Sequence, residues 1–192
     1  MTPVSVDLLT VGLLIKEDDV VKEAHSTSTM VRSGGRTVVV DTSSPERREA
    51  ILHSLQQLDV RPEDVDIVVT THAHRDHMGN DDLFPNAEFI IHEEEGELSG
   101  RTVMKGDILE VAPNVVVMHT PGHSRGSVSV FVEGEQRYAM TGDAIPLEDN
   151  FRRMVPPGVH FDREIALQSI IRVGEFADII VPGHGFPFPA GR

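Results

Sequence analysis

The sequence predicts a layered α/β fold, and three observations support this expectation. Short apolar segments rich in Val and Ile recur along the chain, as buried strands do. They form two sets, and each set includes a segment with helical spacing of its apolar residues at a strand-to-strand crossover. With 192 residues, the chain is long enough to bury a sizeable core. We therefore expect a single domain over residues 1–192.

The first set of strands is interrupted by a hairpin turn and a helix. Gly34 and Gly35 indicate the tight turn. Ser44 suits the N-cap of a helix and Pro45 its first position, and Ile51 opens an apolar stripe behind them. The strands predicted for this set cover residues 4–9, 28–32, 37–40, 66–70 and 88–91.

The second set of strands encloses the other helix. Ile165 and Ile171 lie near helical spacing, so residues 162–173 are predicted to be helical. The strands predicted for this set cover residues 108–111, 115–118, 128–132, 137–140 and 177–181.

Four potential metal ligands lie close together just after the strand predicted at residues 66–70. They are His72, His74, Asp76 and His77. Zinc, iron and manganese bind imidazole nitrogens and carboxylate oxygens in a chain that has no cysteine. Four such groups within six residues cannot all reach one ion comfortably, whereas they can reach two neighbouring ions. The spacing therefore favours a dinuclear metal site and metal-assisted hydrolysis.

Three more candidate ligands follow later strands of the sequence. They are His123, Asp143 and His184. Loops that follow strands gather at the edge of a sheet, where a rigid scaffold holds functional side chains. We expect all seven candidates to meet there.

Composition excludes several functional classes. The net charge of −14 argues against general binding to a nucleic-acid backbone, which needs clustered Lys and Arg. No stretch approaches the roughly 20 apolar residues of a membrane span, and the first ten residues lack the features of a secretory signal. We expect a cytoplasmic protein that acts on a small molecule without a membrane partner. The oligomeric state is open, with a homodimer as one option.

The chain resembles the metallo-β-lactamase superfamily through four motifs in the family's order. They are His72-x-His74-x-Asp76-His77, Pro121-Gly122-His123-Ser124, Gly142-Asp143 and Pro182-Gly183-His184-Gly185. Within the superfamily it is most similar to the branch of metallo-β-lactamase domain-containing protein 1 and its small prokaryotic relatives. The segments that carry this closer similarity are Val40-Asp41-Thr42, residues 60–65, Phe84-Pro85-Asn86-Ala87 and residues 181–188. The resemblance implies an αββα sandwich, in which two β-sheets pack face to face with helices outside.

The resemblance also implies a role for each candidate ligand. The first ion would be bound by His72, His74 and His123. The second ion would be bound by Asp76, His77 and His184. Asp143 would bind both ions. A hydroxide bridging the ions would be the nucleophile, and Asp76 could also orient it. Asp41 would accept a hydrogen bond from a ligand histidine. Zinc is the expected metal, with iron or manganese as alternatives.

The sequence leaves the substrate open. No lysine follows Lys105, so hydrolysis of a β-lactam is not favoured. An ester, thioester, lactone or phosphodiester fits a small metallohydrolase. One alternative is a persulfide dioxygenase with a single iron held by His72, His123 and Asp143. A single-strand ribonuclease and a non-catalytic metal-binding protein are the others.

The segment 144–161 is the candidate for substrate recognition. It is long for a connection, for which about 4–6 residues is usual, and it directly follows Asp143. We expect it to arch over the metals and to present Arg152, Arg153 and His160 to an anionic group of the substrate. Ser124 could bind substrate or, alternatively, close the His123 turn through hydrogen bonds.

Other polar residues are expected to be structural or exposed. His53, His92 and the acidic run 93–95 are predicted to be exposed to solvent. His119 is predicted to lie in the core or to support a ligand.

Overall fold

The computed structural model describes residues 3–18, 20–96 and 98–191, and its main feature is a pair of six-stranded sheets. Along the chain the strands are β1 (Val4–Thr10), β2 (Leu13–Glu17), β3 (Val20–His25), β4 (Ser28–Ser33), β5 (Arg36–Val40), β6 (Ile67–Val69), β7 (Glu88–His92), β8 (Thr102–Met104), β9 (Ile108–Ala112), β10 (Val115–His119), β11 (Val128–Glu133), β12 (Arg137–Met140), β13 (Ile179–Val181) and β14 (Phe188–Pro189). The α-helices are α1 (Arg48–Gln57), α2 (Glu148–Arg152) and α3 (Arg163–Phe176).

Each large sheet is built mostly from one half of the chain. The first has the strand order β1-β4-β5-β6-β7-β8, and the second has the order β14-β13-β12-β11-β10-β9. In the first sheet β5, β6, β7 and β8 run parallel to one another, and in the second β12 and β13 are parallel. Strands β2 and β3 form a separate antiparallel hairpin.

Alternation along the strands explains how the layers pack. Val38 and Val40 of β5 lie in the core between the two sheets, whereas Val39 packs on the opposite face. Successive side chains of a strand point to opposite faces, so a fully apolar strand is buried on both sides. This is why the central strands show uninterrupted valine and isoleucine runs.

Helices cover the two outer faces. Ile51 and Leu55 of α1 are fully buried against the outer face of the first sheet, in the cluster that contains Val39. Ile170 and Val173 of α3 are buried in the equivalent cluster of the second sheet. The order of layers is therefore helix, sheet, sheet, helix, and the predicted αββα sandwich is confirmed.

The helix starts differ from the prediction in detail. Residues Pro45–Arg47 form a 3₁₀ turn, and α1 begins only at Arg48. Ser44 makes no side-chain capping bond there, because its hydroxyl contacts the ring of His25. Asp162 does cap α3 by accepting a hydrogen bond from the Ile165 amide at 3.0 Å.

Several elements escaped the sequence prediction. The hairpin β2–β3 is mostly exposed, so its strands lack the apolar pattern of a buried strand. Strands β8 and β14 are short, and α2 lies inside the segment predicted as a loop. Within the part of the chain that the structure describes, no helix is both long enough and apolar enough to cross a membrane.

The strand ends place the candidate ligands. The His72 run follows β6, Asp143 follows β12 and His184 follows β13, while His123 lies in the loop between β10 and β11. All these loops meet at one edge of the sandwich, because the side chains that they carry form the clusters described below.

Candidate metal centre

Backbone hydrogen bonds fold the run after β6 into a compact turn. The His77 amide donates to the His74 carbonyl at 3.0 Å, and the Asp76 carbonyl accepts from the Ser26 amide at 3.1 Å. The turn is fixed to the sheet by Asp41, whose carboxylate accepts a hydrogen bond from the Thr71 amide at 2.7 Å. The side chains of the four candidate ligands in this run therefore project from a backbone that is held in place by hydrogen bonds.

Three imidazoles and a carboxylate form the first cluster. His74 Nδ1 lies 3.0 Å from His72 Nε2 and 3.1 Å from His123 Nε2, and Asp143 belongs to the same group. A tetrahedral zinc ion bound at about 2.0–2.1 Å by two imidazoles would hold their nitrogens about 3.3–3.4 Å apart. The observed spacing is close to that of a tetrahedral ligand set.

The second cluster consists of Asp76, His77 and His184. Asp76 Oδ2 lies 3.9 Å from His77 Nε2 and 3.7 Å from His184 Nε2. Both imidazoles are buried, whereas Asp76 is partly exposed. The fold thus places adjacent residues of one run, Asp76 and His77, beside a histidine from a loop of the other sheet.

Asp143 lies between the two clusters with one carboxylate oxygen toward each. Its Oδ2 is 3.6 Å from His123 Nε2, and its Oδ1 is 3.1 Å from His184 Nε2 and 3.6 Å from His77 Nε2. A side chain at Gly183 would collide with Asp143 Oδ1, so only glycine permits this approach.

The cluster atoms fit a bound cation better than they fit one another. His77 Nε2 and Asp143 Oδ1 are buried and have no partner with hydrogen-bond geometry among the described residues, although Asp143 Oδ1 lies 3.1 Å from His184 Nε2. Buried polar atoms are rarely left unpaired, because each lost hydrogen bond to water costs free energy. A divalent ion between these atoms would satisfy both.

Groups behind the clusters orient three of the rings. His77 Nδ1 donates a hydrogen bond to Asp41 Oδ2 at 2.7 Å. His184 Nδ1 donates to the His25 carbonyl at 2.9 Å, and His123 Nδ1 donates to the Val159 carbonyl at 2.8 Å. When such a ring is neutral, donation from Nδ1 leaves a lone pair at Nε2, the nitrogen that faces the cluster. The contact predicted for Asp41 is present.

Burial and charge give the two clusters different protonation. Burial lowers the pKa of His72 well below its ordinary value and also lowers the pKa of His123, so both rings are neutral. Burial also lowers the pKa of His77, but the Asp41 and Asp143 carboxylates outweigh it and raise that pKa well above its ordinary value. A metal ion that bound to the second cluster would therefore displace a proton from His77.

Asp143 is ionised in spite of its burial. Burial alone would raise the pKa of its carboxyl, but the neighbouring His184 and His77 rings hold that pKa well below its usual range. In turn Asp143 outweighs the effect of burial on His184 and raises the pKa of that ring. A fixed negative charge thus lies between the two imidazole groups.

Two predictions of exposure were wrong. Glu95 is not part of a solvated face, because its carboxylate accepts hydrogen bonds from the Ala73 amide at 2.7 Å and the Gly126 amide at 3.1 Å. His92 is only 3% exposed and stacks on His119 with ring centroids 4.0 Å apart. Nothing in the local sequence distinguishes Glu95 from the two exposed glutamates before it, since its partners come from distant loops.

Segment 144–161 contacts the site through its backbone. The Val159 carbonyl orients His123, and the Pro146 carbonyl accepts a hydrogen bond from the His184 amide at 2.8 Å. The segment also contains a short helix, α2, which the sequence did not predict.

The predicted substrate contacts have other partners in the structure. Arg152 donates to the Pro189 carbonyl at 2.6 Å and the Ala190 carbonyl at 3.3 Å, so it fastens α2 to the last strand. Arg153 is exposed and lies 3.9 Å from Asp149.

His160 and Ser124 also have other partners in the structure. His160 is exposed, and its Nδ1 donates to the Pro157 carbonyl at 2.7 Å. The Ser124 hydroxyl contacts the Glu95 carboxylate, and the Ser124 amide donates to Ser127 Oγ at 3.1 Å. Ser124 thus has the turn-closing contacts that formed the alternative to substrate binding.

Comparison with known proteins identifies relatives over most of the chain. The model of the metallo-β-lactamase superfamily matches residues 21–184. A Methanocaldococcus jannaschii protein named "Probable metallo-hydrolase MJ0296" is 32% identical over 181 residues, which cover 94% of this chain and 87% of that protein. Metallo-β-lactamase domain-containing protein 1 of Xenopus laevis is 33% identical over 174 residues, which cover 86% and 73%.

A lactonase and a solved structure extend the comparison. The N-acyl homoserine lactonase of Bacillus thuringiensis is 35% identical over 156 residues, which cover 71% of this chain and 62% of the lactonase. The crystal structure of a Thermotoga maritima protein assigned as a metallo-β-lactamase superposes with a TM-score of 0.82 at 22% identity, and the match covers 97% of this chain and 99% of that one. At that identity the superposition supports the fold alone.

Proposed function

The chain belongs to the metallo-β-lactamase superfamily and is a metal-dependent hydrolase, and we propose that it uses two divalent ions to cleave a carboxylic ester or lactone. The observation that carries the two-metal part is the position of Asp143. Its oxygens face separate clusters, and one of them is buried without a hydrogen-bond partner among the described residues. A carboxylate in that position matches a ligand shared by two ions.

The residues divide into two ligand groups around this carboxylate. The first ion would be held by His72, His74 and His123. The second ion would be held by His77, His184 and Asp76. Two bound ions would activate a water molecule and polarise the substrate's carbonyl oxygen. Zinc suits a cysteine-free set of imidazoles and carboxylates, and iron and manganese take the same ligands.

The protein's own groups make the site ready for this chemistry. The Asp41, His25 and Val159 oxygens hold three imidazoles with Nε2 inward, so little reorganisation is needed when metals bind. Asp76 is partly exposed, and its carboxylate could accept a proton from an attacking water or orient that water.

The ligand arrangement favours hydrolysis over the iron-dependent alternative. A facial triad needs two histidines and one carboxylate around one ion. Here the first cluster contains a third histidine, because His74 Nδ1 lies about 3 Å from His72 Nε2 and from His123 Nε2. A second cluster of potential ligands lies beside it. These extra ligands are what a second ion would use.

The substrate class is proposed from the lactonase relative. That protein is named for hydrolysis of N-acyl homoserine lactones, and it matches 71% of this chain. Lactones and simple esters share the reacting carbonyl, so both belong in the test.

A substrate panel tests the proposal. Protein produced without a chelating tag is loaded with Zn²⁺ and assayed on a lactone, a carboxylic ester, a thioester, a phosphodiester and a β-lactam. We expect turnover of the lactone or ester, abolished by a chelator and restored by Zn²⁺. Oxygen uptake with a persulfide, or turnover of the phosphodiester alone, would contradict the proposed substrate class.

A further inference from the structure

Glu95 joins the two loops that supply all three imidazoles of the first cluster. Its Oε2 accepts from the Ala73 amide at 2.7 Å, and Ala73 lies between His72 and His74 in the chain. Its Oε1 accepts from the Gly126 amide at 3.1 Å and contacts the Ser124 hydroxyl, just after His123. One carboxylate therefore spans the space between both loops.

The loop after His123 is shaped for this contact. A Cβ at Gly126 would lie 2.6 Å from the Glu95 backbone nitrogen, which is too close for any other residue. Ser124 is further held by Ser127, with 2.6 Å between their hydroxyl oxygens. The close approach of the two backbones brings the N–H and O–H donors onto Glu95.

Only a carboxylate satisfies this set of donors. An ionised carboxylate accepts on both oxygens, and it forms stronger hydrogen bonds than a neutral group does. Three donors converge on Glu95, and no lysine or arginine among the described residues forms an ion pair with it. A glutamine would have one accepting oxygen, and its amide group would face an N–H donor.

The turn that carries Glu95 is itself braced. His92 Nδ1 accepts from the Glu94 amide at 3.2 Å, which caps the 3₁₀ turn Glu93–Glu95. The His92 ring stacks on His119, and His119 Nε2 donates to the Arg125 carbonyl at 2.7 Å. The loop after His123 is therefore held by hydrogen bonds at three successive residues, Ser124, Arg125 and Gly126.

We propose that Glu95 is a positioning residue that sets the separation of His72 and His74 from His123, and thereby the metal affinity of the first cluster. This inference rests on the proposed metal centre. The hydrogen bonds of the Glu95 carboxylate in the described structure go to Ala73, Ser124 and Gly126 and to none of the second cluster's ligands, so the second cluster does not depend on it directly. Removing the Glu95 carboxylate should therefore weaken metal binding at the first cluster and leave metal binding at the second cluster nearly unchanged.

Zn²⁺ binding to separated clusters tests the inference. The double variant Asp76→Ala with His184→Ala leaves the first cluster, and His74→Ala with His123→Ala leaves the second. Zn²⁺ affinity is measured in both backgrounds by competition with a chromophoric chelator. Adding Glu95→Gln should lower the Zn²⁺ affinity of the first cluster by about 10–100-fold, which is the usual effect of losing a group that orients ligands. The Zn²⁺ affinity of the second cluster should fall by less than about threefold.

A matched control and a second variant complete the design. Glu94→Gln removes the same charge from the exposed neighbour, and it should leave both affinities at the parent value. Equal losses at both clusters, or no loss at the first, would overturn the role of Glu95. If Glu95→Gln does not fold, Ser124→Ala decides, because it removes one donor and should weaken only the first cluster. Absence of Zn²⁺ binding to the parent protein would instead contradict the proposed function.

Discussion

At the scale of single residues, three of the candidate ligand histidines are each paired with a group that orients the ring. His77, His184 and His123 donate from Nδ1 to Asp41, to the His25 carbonyl and to the Val159 carbonyl respectively. These contacts determine which ring nitrogen faces the cluster, and they also connect the loops to one another. Substitutions behind the ligands should therefore affect metal affinity without changing the ligand set.

Asp41→Asn tests this dependence at the second cluster. Asp41 has a φ of 57°, which asparagine also adopts, so the backbone should tolerate the change. The carboxylate accepts from Thr71 on both oxygens and from His77 on one, whereas an asparagine amide offers a single acceptor. We expect a loss of about 10–100-fold in Zn²⁺ affinity at the second cluster, measured by chelator competition. Asp82→Asn, which alters an exposed partner of Arg48, is the control, and a parent-like affinity in Asp41→Asn would refute the orienting role.

Asp143→Ala tests the shared ligand. Loss of the carboxylate removes a ligand from both ions, so the catalytic rate should fall by more than the roughly 10–100-fold that an orienting partner costs. The variant should still fold, because the substitution removes no apolar contact from the three hydrophobic clusters. Steady-state kinetics and circular dichroism separate the two effects. Hydrolysis at the native rate would show that Asp143 does not act in the two-metal reaction.

At the scale of elements, the sequence predicted what local patterns encode. The ligand run was recognisable because its residues are adjacent, and β5, β6 and β11 were recognisable because apolar strands are continuous. Glu95 and His92 were mispredicted because their partners, Ala73 and His119, come from other strands and loops. The hairpin β2–β3 has no buried face to create a pattern, so only the tertiary structure reveals it.

The buried His92–His119 stack should make stability depend on pH. Burial, together with the neighbouring His119, lowers the pKa of His92, so the folded protein binds fewer protons there than the unfolded chain does. The free energy of unfolding should therefore decrease as the pH falls below about 6.5, the ordinary value for histidine. His92→Phe removes this term, and chemical denaturation in the presence of a chelator should show a shallower slope between about pH 5 and 7. An unchanged slope would mean that His92 does not contribute.

Segment 144–161 should contain both structural and recognition residues. Arg152 fastens α2 to Pro189 and Ala190, so Arg152→Ala should lower stability by about 1 kcal/mol in thermal denaturation. Arg153 and His160 are exposed. Replacing both by alanine should raise KM while metal content stays intact. An unchanged KM would place substrate recognition elsewhere, most simply on the loop around His25.

At the scale of the whole molecule, the αββα sandwich brings together ligands that are up to 112 residues apart in sequence, from His72 to His184. A loop of the first sheet supplies four of the seven candidate ligands, and loops of the second sheet supply the other three. The family's fold was predictable from four motifs in order. The partners that hold the loops at the right distance were not, because they depend on contacts between the two sheets' loops.

The number of bound metal ions tests the central claim most directly. Native mass spectrometry of protein prepared without a chelating tag should show two ions per chain in the parent and one in His77→Ala. The loss follows because Asp76 and His184 alone make a poor site without the buried imidazole. A single ion in the parent, or two tightly bound ions in His77→Ala, would contradict the dinuclear centre.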